Sequence, residues 1–347
     1  MQKITHFLLV AIFFAAFMIL PFGSIGLAED GVIKLKMADY FPIGHLGHQT
    51  ALRFINRFEE LSGGRVKVEY YPAQQLGKAQ DLLKLCKMGV TDIAGVAPSL
   101  YAGQVPLNTV MVLPSWTTST EGTRIYQRMI KECPELTQEF LKYGVRPFVT
   151  VTTSQYDVGT VNKPVRAPGD LKGLRLKSSG GIFVKIAKKY GIIPINIPAP
   201  EIYEATRRGV VDGNILSYGS VKGYRLNEIE KYNTLGLKMG GFPSTYQINE
   251  KIWQKLPKEI KKALLQAADE NARWFSETWD RQQTELSNLY EKEGMKIYRL
   301  RPEDREMWFA PLKGIEKEWV RDMEKRKLPG GKVLEKYRQV SKEVTGG

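Results

Sequence analysis

The chain has 347 residues, 43% of them hydrophobic and 25% charged, with no low-complexity tract: a globular composition too long for one ordinary core. Its net charge of +14 could suit nucleic acid, but Lys and Arg interleave with Glu along 251–262 and 314–327 as on solvated helix faces, and no nucleic-acid-binding motif is present. Cys86 and Cys133, the only cysteines, lie in apolar helix-like patterns and read as buried free thiols, while His45 and His48 have no Cys or carboxylate at metal spacing, which disfavours a metal site.

At the start, Lys3 precedes an apolar run from Phe7 to Ile25, and Gly26-Leu27-Ala28 leads into Glu29 and Asp30. The small residues before an acidic flank predict an export signal cleaved after Ala28, in preference to a retained membrane anchor. About 319 residues (347 − 28) then remain.

Val32–Ala38 alternates as a strand, and Leu46, Ala51, Phe54, Ile55, Phe58 and Leu61 fall at helical spacing until Gly63-Gly64. A strand at 66–71, a helix at about 78–88 and a short strand near Ile93 complete a β-α-β-α-β order, which argues for a mainly parallel sheet with helices on its faces. The alternation restarts with strands at 145–153, 158–161 and 174–177, a helix at 180–190, a strand at 192–197 and a helix at 200–208, so a second α/β unit is present. Gly180-Gly181 alone does not make a phosphate loop. From Pro257 to about Glu293, Ile260, Leu264, Ala268, Ala272, Phe275, Trp279, Leu286 and Leu289 predict one helix roughly 55 Å long, enough to run along both units.

Four spaced segments resemble the DctP family, the extracytoplasmic solute receptors of tripartite ATP-independent periplasmic (TRAP) transporters. They are Gly64–Val68 leading to Pro72-Ala73-Gln74-Gln75-Leu76-Gly77; Asn162-Lys163-Pro164-Val165 with Asp170-Leu171-Lys172-Gly173-Leu174; Glu201–Ala205 leading to Gly209-Val210-Val211-Asp212-Gly213; and Asn249-Glu250 with Trp253 and Leu256-Pro257. As local chemistry most of these are turns and caps, with Asp212 holding a turn. The resemblance implies an α/β, two-lobed periplasmic-binding-protein-like fold with discontinuous lobes and a long bridging helix. The expected division is 31–153 plus 242–282 for lobe I and 154–241 plus 283–345 for lobe II, with the helix at about 257–293.

The same resemblance implies where a solute would sit. Family members often clamp a carboxylate with an Arg four residues after the Gly of the Leu-Lys-Gly segment; here that position is Lys177, with Arg175 two residues earlier along the strand. A second Arg common in the family, five residues before Asn-Lys-Pro, is replaced by Asp157. An ammonium is a point charge and lacks the planar two-bond grip of a guanidinium. Two readings stay open: Lys177 meets an anionic group while Asp157 meets a cationic one or steadies Lys177, or the two pair with each other because an unpaired charge in a closing cleft is costly to desolvate. Further pocket positions carried over by offset are Asp39, Ala97, Asn214 and Leu216, and Tyr40, Tyr156, Tyr218 and Tyr246 are candidate lining residues with a polar tip on an apolar body.

The expectation is thus an exported, periplasmic receptor that traps a small organic acid, carboxylate or sulfonate, by lobe closure and delivers it to the TRAP permease subunits, as a monomer and without a cofactor. A zwitterion or amine receptor and a ligand sensor for a signalling partner are alternatives. An exported enzyme is disfavoured: the chain has no Gly-x-Ser-x-Gly elbow and no paired nucleophile and histidine.

Overall fold

A computed structural model describes residues 31–346; the export segment expected over 1–28 lies outside the described residues. The chain begins β1 (Ile33–Ala38), α1 (Leu46–Leu61), β2 (Val66–Tyr71), α2 (Leu82–Met88), β3 (Ile93–Val96), α3 (Ser119–Glu132), α4 (Pro134–Lys142) and β4 (Val145–Gln155). It continues β5 (Asp157–Thr160), β6 (Arg175–Ser178), α5 (Gly181–Lys189), β7 (Ile193–Asn196), α6 (Ile202–Arg207), β8 (Gly213–Leu216), α7 (Tyr218–Gly223) and β9 (Tyr232–Leu235). The last part is β10 (Gly241–Asn249), α8 (Glu250–Lys255), α9 (Lys258–Lys292), β11 (Lys296–Arg299), α10 (Arg305–Phe309), α11 (Ile315–Lys325) and α12 (Gly330–Thr345).

Local chemistry accounts for the main elements. In β1, Ile33, Leu35 and Met37 turn inward while Lys34 and Lys36 face water. They meet Phe54, Ile55 and Phe58 on the buried stripe of α1. Thr118 and Glu121 form a reciprocal capping box that starts α3. Cys86 and Cys133 are buried and unbridged.

The strands form two sheets, β2-β1-β3-β10-β4 and β11-β9-β5-β8-β6-β7. The strands of the expected β-α-β-α-β unit are parallel to one another, but each sheet as a whole is mixed. β1 pairs parallel with β2 and β3, but β10 runs antiparallel to both β3 and β4, and β5 antiparallel to both β8 and β9. The reason is the path of the chain. β4 leaves the first sheet, a single residue, Tyr156, crosses, and β5 begins the second; the chain returns through 236–240 into β10. The outgoing and returning segments lie side by side, joined by Tyr156 N–H to Gly240 O at 2.9 Å and Met239 N–H to Tyr156 O at 2.9 Å. Segments that cross out and back next to each other must run in opposite directions.

Two α/β lobes therefore meet at a narrow two-strand crossing. The 35 residues of α9, about 53 Å at 1.5 Å per residue, brace both. Its first half buries Ile260, Leu264 and Ala268 in the core of the first lobe, and its second half puts Leu286 and Tyr290 in the core around the second sheet. The C-terminal helices also touch both sides, α11 through Glu318 to Lys189 at 2.7 Å and α12 through Lys336 to Glu132 at 2.7 Å.

Candidate ligand-binding site

A cavity lies where the lobes face each other beside the crossing. From the first lobe it takes Phe41 and His45 in the segment between β1 and α1, Val149 and Val151 on β4, Tyr246 on β10, and Phe275 and Trp279 on α9. The second lobe supplies Lys177, Ser179, Leu216, Ser220 and Tyr224, and Tyr156 stands at the crossing itself. Concave, mostly apolar walls with a few convergent polar groups are the usual form of a small-molecule site.

Lys177 dominates the electrostatics. Arg175 and Lys177 share one face of β6, but Arg175 sits at the exposed start of the strand and Lys177 further along it is buried. Arg175 pairs with Asp212 at 2.7 Å and is half-exposed, which ends its candidacy as a substitute clamp. Lys177 is only 7% exposed, donates to Ser179 Oγ at 3.0 Å, and has no carboxylate partner among the described residues. Burial lowers its pKa to about 8, so it is still mostly charged at pH 7. Directly after it, Gly180 adopts φ 77° and ψ −176°, a conformation essentially restricted to glycine, which turns the chain sharply into α5. That turn holds Ser179 next to the ammonium.

Asp157 does not pair with Lys177. Its Oδ1 accepts the Gly236 and Leu237 N–H groups at 2.6 and 3.0 Å, and Gln283 Nε2 approaches Oδ2 at 3.5 Å. Burial raises its pKa to about 7, against the lowering effect of those backbone donors. It fastens the returning segment and does not line the cavity.

The other candidates divide similarly. Tyr156, Leu216 and Tyr246 line the cavity with Lys177. Asp39 and Tyr40 stand one layer behind: Tyr246 OH donates to Asp39 Oδ2 at 3.2 Å, and Tyr40 OH shares a hydrogen bond with Ser244 Oγ at 3.2 Å. Asp39 also accepts the Tyr40 N–H at 2.6 Å, and burial raises its pKa to about 7. Asn214 and Tyr218 face the interior of the second lobe, donating to Glu230 at 2.8 Å and to Asn233 at 2.9 Å. Ala97 is packed into a core cluster of the first lobe with Leu82 and Val105. Among the described residues no cluster of His, Cys, Asp or Glu could hold a metal ion.

Comparison with known sequences decides the family. Residues 37–322 match the profile of DctP, bacterial extracellular solute-binding protein family 7. The chain belongs to this family. A relative, the solute-binding protein of Albidiferax ferrireducens, is 26% identical over 287 residues, covering 80% of this chain and 83% of its own. The sialic acid-binding periplasmic protein SiaP of Vibrio cholerae is 24% identical over 281 residues, 79% of this chain and 85% of its own. Among solved structures, a TRAP solute-binding protein from Rhodoferax ferrireducens in complex with copurified benzoate has the same fold, with a TM-score of 0.83 at 22% identity over 91% of this chain and 99% of that one.

Within this DctP-family fold, sequence patterns missed the aromatic side of the cavity. Phe41, Tyr224, Phe242, Phe275 and Trp279 come from four separate elements and linkers. Phe275 and Trp279 had a signal, being four apart on the predicted helix, but that spacing is equally that of a core stripe. His45 was read only as an absent metal ligand. Its position just before an apolar helical run, where a capping residue belongs, is the one available hint.

Proposed function

We propose that this chain is the exported solute receptor of a TRAP transporter and that it captures a small organic acid between its lobes for the membrane permease. The reading is carried by one observation: Lys177 is a buried cation with no anionic partner among the described residues, and it lines the cavity between the lobes. A buried unpaired charge is costly, and an anionic ligand is the group that would compensate it. Family membership supports the receptor role, and the benzoate copurified with the Rhodoferax ferrireducens protein is an example of such an acid. An export signal over residues 1–28 places the receptor in the periplasm, acting as a monomer. Capture stabilises the closed arrangement, and closure forms the surface that docks on the permease.

The test is mass spectrometry of copurified small molecules, followed by a thermal-shift screen of acids, amines and zwitterions on the protein and on Lys177→Met. The expected result is stabilisation by at least one acid, with loss of more than about 100-fold in affinity in the variant. Stabilisation by amines alone, or an acid response that survives Lys177→Met, would overturn the reading.

A further inference from the structure

We propose that His45 is a second ligand-binding residue: its Nε2–H, from the first lobe, grips the same carboxylate as Lys177 from the second, and the ligand is a singly charged acid with an apolar, ring-sized body. This deepens the acid-receptor reading and rests on it.

His45 is the N-cap of α1, and its Nδ1 accepts the Gly47 N–H at 2.9 Å. With that lone pair engaged, the proton of the neutral ring resides on Nε2. Nε2 is buried and has no partner among the described residues. A buried donor left unpaired is costly, so a ligand acceptor is the natural completion. The ring cannot swing away. It stacks on Phe41 with centroids 4.6 Å apart and planes at 10°, and Tyr224 and Trp279 flank it at 5.2 and 6.1 Å. A Cβ on Gly223 would run into the ring, so α7 of the second lobe reaches His45 only because that residue is glycine.

The ring is also held neutral. Burial is the main cause, with His48 and then Lys177 adding repulsion, and together they push its pKa down to about 3. His45 and Lys177 line the same cavity, which puts the imidazole and the ammonium in one electrostatic neighbourhood. The only titratable groups among the lining residues besides these two are the tyrosines Tyr156, Tyr224 and Tyr246, all held in their neutral form by burial. Trp279 Nε1 is a further buried N–H without a partner on the same walls.

The donors therefore outnumber what the protein can satisfy, and the counter-group is an acceptor. Among the described residues no Asp or Glu lines the cavity and Lys177 is its only cation, so a second carboxylate would find no counter-charge. Val149, Val151, Leu216, Phe242 and Phe275 give the walls apolar faces, which suits an apolar body, with the hydroxyls of Thr50, Thr153, Ser244 and Thr245 between them. Because Lys177 and His45 belong to different lobes, one carboxylate held by both couples capture to closure.

The experiment is calorimetry on ligand-free protein with benzoate as the probe and succinate as the dicarboxylate control, for the unaltered chain, His45→Asn and His45→Gln. Asn keeps an acceptor at the capping position and removes the Nε2–H, whereas Gln keeps a donor near that point and gives up the cap. The expected result is benzoate bound at least about tenfold more tightly than succinate, and a loss of about 10- to 100-fold in His45→Asn, whose unliganded melting temperature falls with the lost ring packing while its unfolding stays cooperative. His45→Gln should recover part of that loss. An affinity in His45→Asn within about threefold of the unaltered chain, a preference for succinate, or binding of neither acid overturns the inference. Binding of succinate alone that Lys177→Met abolishes leaves the acid-receptor reading standing while refuting this one.

Discussion

Asp39 and Asp157 invite comparison, because each is a buried acid at the cavity end of a sheet, one per lobe. Burial raises both to a pKa of about 7, and both accept backbone N–H groups, Asp39 from Tyr40 and Asp157 from Gly236 and Leu237. Around them the lobes diverge. The first presents aromatic faces and neutral N–H donors, whereas the second presents a lone ammonium. The difference teaches that a charge near a site is not a charge in it. The two acids organise the chain, and on the proposed reading recognition of charge falls to Lys177.

The comparison can be broken most directly with pH. Burial lowers Lys177 to about 8, and a bound anion would favour its protonated form again. Affinity for benzoate should fall as pH rises above 8, by up to tenfold per unit and roughly 100-fold by pH 10. The unliganded protein should gain stability over the same range, because the folded lysine has released a proton that the unfolded one still holds. Calorimetry and melting curves at pH 7, 8.5 and 10 check both slopes, and a flat affinity profile would move charge recognition away from Lys177.

A smaller effect sharpens the role of Asp157. Asn at this position keeps an oxygen for the Gly236 and Leu237 N–H groups. Because the carboxylate pKa is raised, its folded-state cost is absent near pH 4 and complete above pH 7. Asp157→Asn should stabilise the protein by about 2 kcal/mol at pH 8, less than the full linkage value because the amide nitrogen gains no acceptor. No gain is expected at pH 4, and benzoate affinity should stay within about twofold. A tenfold change in affinity would return Asp157 to the site. The smallest effect belongs to Arg175→Ala, which removes a half-exposed pair with Asp212. It should cost under about 1 kcal/mol in denaturant melts and leave binding unchanged, despite lying two residues from Lys177 on the same strand.

Much of the fold was legible because it follows from local periodicity. The strand Ile33–Ala38, the helix Leu46–Leu61 and the long helix Lys258–Lys292 fall close to where alternation and helical spacing put them. β10 was not legible from local pattern, although the division implied by the family resemblance returns to lobe I at 242. Gly241–Asn249 pairs with β3 and β4, strands about 150 and 100 residues away, and nothing local marks that return. The candidate site divided the same way. Lys177, Tyr156, Leu216 and Tyr246 line the cavity, and all four were reachable from motif offsets or residue chemistry. Asn214 and Tyr218 were reachable too, yet they face Glu230 and Asn233 inside the lobe. An offset gives a place on a strand but does not say which groups crowd the side chain there.

The sequence by itself determined the α/β class, the two-unit order, the brace helix and the replacement of a guanidinium by an ammonium at position 177, because each is a property of short segments. Tertiary structure alone decided that Asp157 serves a loop, that Lys177 stays unpaired, and that His45 arrives at the cavity with Nδ1 engaged and Nε2 free. Those outcomes depend on which distant segments meet when the chain crosses between lobes twice. Such pairings are set by packing the whole molecule and leave no periodic trace in the residues they join.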